Sequence, residues 1–356
     1  MTEPNDERPT IYTIAKAAGV SHTTVSRALS GHPKVSEAQR QRIESIADRL
    51  GFVRPNRHAT ALRTKRSEMV GVLLMDLVNP YNSELAREVD TELRRHGYAC
   101  MVSGCDGNAD EAKGIASLFV DAAVDAIITN VAEPLPALGK GHSPPAVLVS
   151  DATVDGYSAT VHICVSEGTY QAVKQLFAMG HRRIAHLGAG AHGERYNAYA
   201  AAMKEAGLEE ILWACGDEGC GRQQLQEKVQ RVVRERMADR DMLPTAVVAH
   251  DDLMALTVLQ SAQEHGLTVP GDISILGHDD TLVTQLVTPK LSSISIPIGD
   301  VGRTAARLAM RMSGADLGAE DPVGAGMEGT DGLRCEFVAV PTWRESTAPP
   351  RPPRSL

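Results

Sequence analysis

Six residues near the N-terminus offer the first chemistry that the sequence can do: Ser21, His22, Thr23, Thr24, Ser26 and Arg27. Hydroxyls, an imidazole and a guanidinium within seven positions suit hydrogen bonding to base edges, with the arginine also able to reach phosphate. Such contacts need a helix whose other side is held down, and the flanking residues supply it. Ile11, Ile14, Ala15 and Ala18 repeat at helical spacing behind Thr10, which is placed to cap that first helix. Gly19 gives the backbone freedom that a sharp turn needs, Val20 packs back, and Ser21 caps a second helix. Val25 and Leu29 form its buried side. Thr10–Leu29 therefore reads as two short helices, the second turning its polar side to a major groove. A plain helical hairpin has the same spacing, so the rest of the chain must decide.

Charge is the first discriminator. The 356 residues carry a formal net charge of −9. Residues 10–66 hold eleven Lys/Arg against three acids, a local +8, which leaves −17 for the remainder. A basic head on an acidic body suits one local polyanion contact. The length predicts two or three domains, and 43% hydrophobic content is enough for sizeable cores. No apolar segment behind early basic residues suggests export, and no run is long enough to span a bilayer, so a cytoplasmic protein with no membrane partner is expected. The six cysteines form no C-x-x-C and are expected to be reduced thiols, with no metal site and no cofactor.

Behind the two helices, Ser36 caps a third whose stripe is Ile43, Ile46, Ala47 and Leu50, ended by Gly51. Arg54-Pro55-Asn56 breaks the pattern. Arg57–Arg63 is compatible with a short helix, and its exposed Leu62 suits a minor-groove wedge. From Met69 onward, apolar runs such as MVGVLLMDL, DAIITN, AVLVSD, RRIAHLGAG, TAVVAH and ISILGHDD alternate with amphipathic segments. Runs that are apolar on both faces, separated by helices, predict parallel sheets covered on both sides. Two such series predict two similar lobes, with ligands at the carboxyl ends of the strands. A strand and helix over Ile294–Met312 and one last strand over Cys335–Val340 follow, and the Pro-rich tail from Ala348 is expected to be disordered.

A set of short motifs then falls in order along residues 10–347. It comprises Ala15-x-x-Ala18-Gly19-Val20-Ser21-x-x-Thr24-Val25-Ser26-Arg27, Pro55-Asn56 with Leu62, Asn79-Pro80 and Leu176-x-x-x-Gly180-His181-Arg182-Arg183-Ile184-Ala185. It continues with Asp252-Leu253-Met254-Ala255-Leu256, Gly277-His278-Asp279-Asp280, Thr288-Pro289 with Leu291, and Arg344-Glu345-Ser346-Thr347. The ordered set resembles the LacI family of bacterial transcriptional regulators.

That resemblance implies an N-terminal all-α helix-turn-helix DNA-binding domain and an α/β two-lobed, periplasmic-binding-protein-like (type I) core with parallel sheets. The expected domains are a disordered 1–9, the DNA-binding domain at 10–55, a hinge helix at 56–66, the effector-binding and dimerisation core at 67–347, and the tail 348–356. The N-lobe would take 67–165 and 296–325, and the C-lobe 166–295 and 326–347. DNA contacts would come from Thr10, Tyr12, Ser21, His22, Thr23, Thr24, Ser26, Arg27, Asn56, Arg57 and Leu62, with His22 and Thr23 setting specificity. The implied protein is a homodimeric repressor that reads a pseudo-palindromic operator and is switched by a small effector, a sugar or related polar metabolite.

Family positions at the effector cleft fall on Tyr81, Asn82, Asp151, Ile163, Arg195, Asp251 and Asp279. Carboxylates accept from hydroxyls, and an arginine can clamp a ring oxygen or an anionic group. Several positions depart from the family pattern. Asn82 stands where an aromatic is common, Asp251 where Asn is usual, and Ala198 where Gly is usual. Cys164-Val165 replace Asp-Asn, Glu218 replaces Phe, and Ile296 replaces Gln. The pocket is therefore no copy of a common sugar site. Gly188-Ala-Gly190-Ala-His-Gly193 imitates a dinucleotide fingerprint, but its distance to Asp217 exceeds the usual ~20 residues. His181 and His186 have no metal-site spacing, and no nucleophile elbow or Walker loop appears, so an enzyme is not expected. The alternative function, a solute-binding receptor without a gene-regulatory role, would require export, and a basic helix-turn-helix occupies the place of a signal peptide.

Overall fold

A computed structural model describes residues 9–29, 34–52, 66–132, 143–152, 154–216, 221–318 and 333–351. The chain divides into two compact units, Met1–Lys65 and Arg66–Leu356.

In the first unit, α1 (Ile11–Ala18) begins with a reciprocal cap. Thr10 Oγ1 accepts from the Thr13 N–H, and Thr13 Oγ1 accepts from the Thr10 N–H. Gly19 ends the helix at φ 66°, a left-handed conformation that costs a residue with a Cβ. α2 (His22–Leu29) starts at Ser21, whose Oγ accepts from the Thr24 N–H at 3.1 Å. α3 (Glu37–Arg49) is capped by Ser36. Ile14, Val25, Ala28, Ile43 and Ile46 close the core of this unit. The buried side of α2 runs through Val25 and Ala28, while Leu29 is only partly covered.

The second unit contains two six-stranded sheets. The strands of the first lobe are β1 (Met69–Leu74), β2 (Ala99–Gly104), β3 (Ala126–Thr129), β4 (Ala146–Ser150) and β5 (Ala159–Cys164). Those of the second are β6 (Ile184–Gly188), β7 (Ile211–Ala214), β8 (Ala246–Ala249), β9 (Ser274–Asp279) and β10 (Ser292–Ser295). Two late strands, β11 (Leu333–Val338) and β12 (Val340–Thr342), divide between the lobes. The sheet orders are β11-β5-β4-β3-β1-β2 and β12-β10-β9-β8-β6-β7, parallel throughout except for the β10–β12 pair. The connecting helices are α4 (Pro80–Arg95), α5 (Ala109–Asp121), α6 (Val165–Ala178), α7 (Glu194–Glu205), α8 (Arg222–Ala238), α9 (Asp252–Glu264), the short α10 (Val283–Leu286) and α11 (Ile298–Met312). β3, β4, β6, β8 and β9 are buried along their whole lengths, as apolar strands covered on both faces must be. Among the described residues, no helix is long and apolar enough to cross a membrane.

Three segments cross between the lobes: β5 into α6, β10 into α11, and β11 into β12. They lie together at one edge of the two sheets. Here the structure corrects the expectation of a single last strand within the second lobe. Leu333–Val338 pairs with β5 in the first sheet, the chain crosses at the buried Ala339, and Val340–Thr342 pairs with β10 in the second. Alternating hydrophobicity looks the same whether a strand stays in one sheet or passes between two. β5 carries no unbroken apolar run in the sequence, because Thr160, His162 and Cys164 alternate with its buried Ala159, Val161 and Ile163. Nor does disorder begin at Ala348. Its carbonyl accepts from Ser274 Oγ and meets His181 Nε2, both at 3.0 Å, and Arg351 pairs with Asp272 at 3.1 Å.

The first lobe is welded by a buried carboxylate. Glu92 on α4 takes Arg307 of α11 at 2.6 Å and Arg95 at 3.1 Å. Burial alone would raise its pKa, but the hydrogen bond and charge of Arg307, with Arg95 and His96, hold it below the ordinary value. In the second lobe, the fully buried Tyr199 hydroxyl donates to the Ile184 carbonyl and accepts from the Ile211 N–H, both at 2.8 Å, tying α7 to β6 and β7. Tyr199→Phe should strand both backbone groups and destabilise this unit by about 1–3 kcal/mol. Urea unfolding of the two proteins checks it, and a difference below ~0.5 kcal/mol would show that the hydroxyl bridge is dispensable.

Candidate functional site

In the first unit, α2 turns His22, Thr23 and Arg27 outward, with Thr24 and Ser26 half-buried beside them. Tyr12 of α1 is 70% exposed, and its ring centroid lies 5.2 Å from that of His22, so the two form one aromatic edge on the outward face. The hydroxyls of Thr10 and Ser21 cap helices, and Ser21 Oγ also lies 2.9 Å from Thr24 Oγ1. Side-chain donors at a helix N-terminus next to an arginine one turn later can read base edges while phosphates anchor the helix. Asn56, Arg57 and Leu62, and the expected hinge helix around them, lie outside the described residues.

The second unit encloses a cavity of about 590 Å³ at the carboxyl ends of its parallel strands, between the lobes. Tyr81, Asn82, Asp151, Ile163, Arg195, Asp251 and Asp279 all line it. Each sits where a strand meets the next helix or loop. Asn79 caps α4 and so places Tyr81 and Asn82 in its first turn; Asp151 follows β4; Asp251 caps α9; Asp279 ends β9. Arg195 extends from the first turn of α7. Its Nη1 donates to Asp151 Oδ2 at 2.7 Å, and its Nη2 stands 3.8 Å from Asp279 Oδ1. Asp279 itself adopts φ 96°, a strained backbone for a residue with a Cβ.

Asn82 and Asp251 are engaged within the protein. Asn82 donates to Asp76 Oδ2 and accepts from Asn130 Nδ2 at 2.7 Å. Asp251 Oδ1 accepts from the Met254 N–H at 2.7 Å, and its Oδ2 pairs with Arg222 at 3.3 Å. Arg222, Asp76, Asn130 and His250 also line the cavity, and sequence reasoning missed all four. Asp76 carried a usable signal, since it directly follows an apolar strand and precedes Asn79-Pro80. Arg222 carried none beyond its place at the start of a helix.

Burial dominates the electrostatics of this site. It raises the Tyr81 hydroxyl, helped by the Asp279 charge. It also raises Asp251 and Asp279, against the pull of Arg222 and Arg195 respectively. Asp252, behind the cleft, is raised by burial and by Asp279, although Thr281 and Ser293 donate to it. Burial, then the Arg195 charge, keeps His250 and His278 neutral, and lowers His186 to about 4. The cleft thus offers two guanidiniums, several carboxylates, amides and one phenol, a set for hydrogen bonding to a polar ligand.

The glycine-rich loop has a place here too, as Ala189, His192 and Gly193 border the cavity. His186 packs in the core against Tyr199 and Tyr196, and His181 binds Thr245 and Ala348. Among the described residues, no group of three or more His, Cys, Asp or Glu side chains could hold a metal ion.

The raised pKa of Asp279 has a defined sign in stability. Below the ordinary carboxyl range it is protonated in both states and costs nothing. Above its folded pKa it is ionised in both states, and the folded protein bears the full cost of the buried charge. Asp279→Asn should therefore gain stability relative to wild type as pH rises from 4 to 7.5, on the order of 1–3 kcal/mol, and then level off. Unfolding free energies measured across that range check it, and a difference independent of pH would show that Asp279 titrates normally.

Comparison with known proteins matches the N-terminal unit and part of the second unit. Residues 10–56 match bacterial regulatory proteins of the lacI family, and residues 173–324 match the periplasmic binding protein-like domain. Catabolite control protein A of Priestia megaterium is 32% identical over 309 residues, covering 84% of this chain and 91% of that protein. The HTH-type transcriptional repressor CytR of Escherichia coli K12 is 29% identical over 320 residues, covering 87% of this chain and 91% of that protein. Among solved structures, the Lac repressor dimer bound to operator and the anti-inducer ONPF superposes with a TM-score of 0.74 at 22% identity, covering 96% of this chain and all of that one. The CelR–cellobiose complex gives 0.63 at 26% identity, covering 95% of this chain and all of that one. The chain belongs to the LacI family of bacterial transcriptional regulators.

Proposed function

We propose that this regulator is a homodimeric repressor that binds a roughly palindromic operator through α2, and that a small polar effector in the inter-lobe cleft switches its affinity. The observation that carries this reading is the presence, in one chain, of the outward His22–Thr23–Arg27 face and of the cleft closed by Arg195, Asp151 and Asp279. The Lac repressor has been solved as a dimer on its operator, and related regulators have been solved with cellobiose and with sucrose bound. A sugar or related hydroxylated metabolite fits a cavity whose groups alternate donors and acceptors. The cleft works by binding rather than by catalysis. Its effect on DNA follows from differential affinity for two lobe arrangements, transmitted to the paired hinge segments around Leu62. A receptor without DNA binding is disfavoured by the +8 charge of residues 10–66 on a protein of net −9.

Selection of duplexes from a random library by the full-length protein tests the reading. A palindromic consensus should emerge, with affinity falling at least ~100-fold between 50 and 200 mM salt. His22→Ala should change which bases are enriched, whereas Leu62→Ala should weaken binding to the wild-type consensus at least ~10-fold. Enrichment of no sequence, alongside a core that melts later with a sugar, nucleoside or polyol, would favour the receptor. Undiminished affinity in the Leu62 variant would remove the wedge.

A further inference from the structure

We infer that Arg222 is a second inter-lobe clasp, a positioning residue that sets the resting angle of the lobes, and through it operator affinity, before any effector binds. The inference rests on the preceding reading that lobe arrangement governs DNA binding.

Arg222 is the first residue of α8, in the second lobe, yet its main partners are in the first. Its Nη2 and Nε donate to Asp76 Oδ2 at 3.0 and 3.3 Å, and its backbone N–H donates to Asp106 Oδ1 at 2.8 Å. Asp76 follows β1 and Asp106 follows β2, and the two loops are joined by the Gly107 N–H donating to the Met75 carbonyl at 2.9 Å. The helix start therefore rests on one rigid platform. The approach is close enough that a Cβ on Gly221 would lie 2.6 Å from Asp106 Oδ2, so a side chain there would have to turn the Asp106 carboxylate away from the Arg222 N–H.

Position gives this contact its leverage. The three crossovers lie at the β5–β11 edge of the first sheet, and Asp76 leaves β1, three strands away. At about 4.8 Å per strand the contact stands about 14 Å from β5, against about 5 Å for Asp151 at the end of β4. For a rotation about the crossovers, the Arg222 contact must open about three times as far as the Arg195 contact. It can also release without leaving a buried charge alone. Arg222 Nη1 keeps Asp251 Oδ2 in its own lobe, and Asp76 Oδ1 keeps the N–H groups of Val78 and Asn79 in the other. Both arrangements have partners for every charge, which is what a two-state element needs.

A double-mutant cycle on the full-length protein tests the clasp. Arg222→Met removes the guanidinium, and Asp76→Asn keeps the Oδ1 acceptor for Val78 and Asn79 while facing Arg222 with a donor. Fluorophores at the exposed Leu118 and Met242, one in each lobe, report lobe separation by single-molecule energy transfer, with no effector added. Affinity is read on the operator that the wild-type protein selects. Each variant should lower transfer efficiency and change operator Kd at least ~5-fold, and the double variant should match either single variant within ~2-fold. Arg222→Lys, which retains the charge but not the two-toothed grip, should fall between and serves where the methionine variant does not fold. Wild-type transfer efficiency and Kd in the folded single variants would overturn the clasp, as would strictly additive effects in the double. If the wild-type protein selects no operator, the regulator reading fails, and energy transfer alone still decides whether Arg222 holds the lobes.

Discussion

The cleft depends on how buried carboxylates are kept from costing more than the fold can bear. The buried Asp76, Asp251 and Asp279 and the half-buried Asp151 stand at the carboxyl ends of parallel strands, in a cavity also walled by Val149, Ile163, Met254 and Ile296. A lone carboxylate there would be expensive, and an unpartnered pair worse. Two guanidiniums meet the demand, Arg195 for Asp151 and Asp279, and Arg222 for Asp76 and Asp251. Because both arginines come from the second lobe and Asp151 and Asp76 from the first, satisfying the charges also joins the lobes. Solvation and lobe geometry are one problem here with one answer.

The surrounding scaffold makes that answer reproducible. Strands buried on both faces fix the height at which each aspartate leaves its sheet, and helix caps such as Asn79 and Asp251 fix the direction in which the chain turns. In the first lobe, Glu92 holds α4 to α11, which ties the first turn of α4 with Tyr81, and the loop before it with Asp76, to the rest of the lobe. The DNA-reading unit uses the same economy at a smaller scale. Its hydroxyls at Thr10 and Ser21 satisfy backbone N–H groups, and this holds α2 with His22, Thr23 and Arg27 turned to solvent.

Much of this was legible in the sequence, and for identifiable reasons. Helical spacing at Ile14, Ala18 and Val25, with hydroxyls before each helix, is local information, and so are the unbroken apolar runs of β1, β3 and β8. The seven cleft positions were reached through resemblance to a family, and they converge on one cavity. Arg222 was invisible because its meaning lies in Asp76, 146 positions earlier in the chain, and no local pattern connects them. β5 was lost to its half-polar alternation, and the division of the last strand between two sheets was lost because period-two patterning carries no record of which sheet a residue joins. Asn82 illustrates the intermediate case. Its location was foreseen, whereas its engagement by Asp76 and Asn130 depends on contacts that only the folded chain creates.

The late pairing of β11 with β5, and of β12 with β10, has a consequence for how the chain is made. The three described helices of the first unit are complete once residue 49 has been synthesised, and they can pack while translation continues. Neither lobe has that independence. The first sheet waits for a strand ending at Val338, the second for one ending at Thr342, although most of the first lobe precedes residue 165. Both lobes therefore finish within the same few residues of elongation, with an open β5 edge exposed until then. A ribosome that stops short of residue 333 leaves behind a folded head and two unfinished sheets.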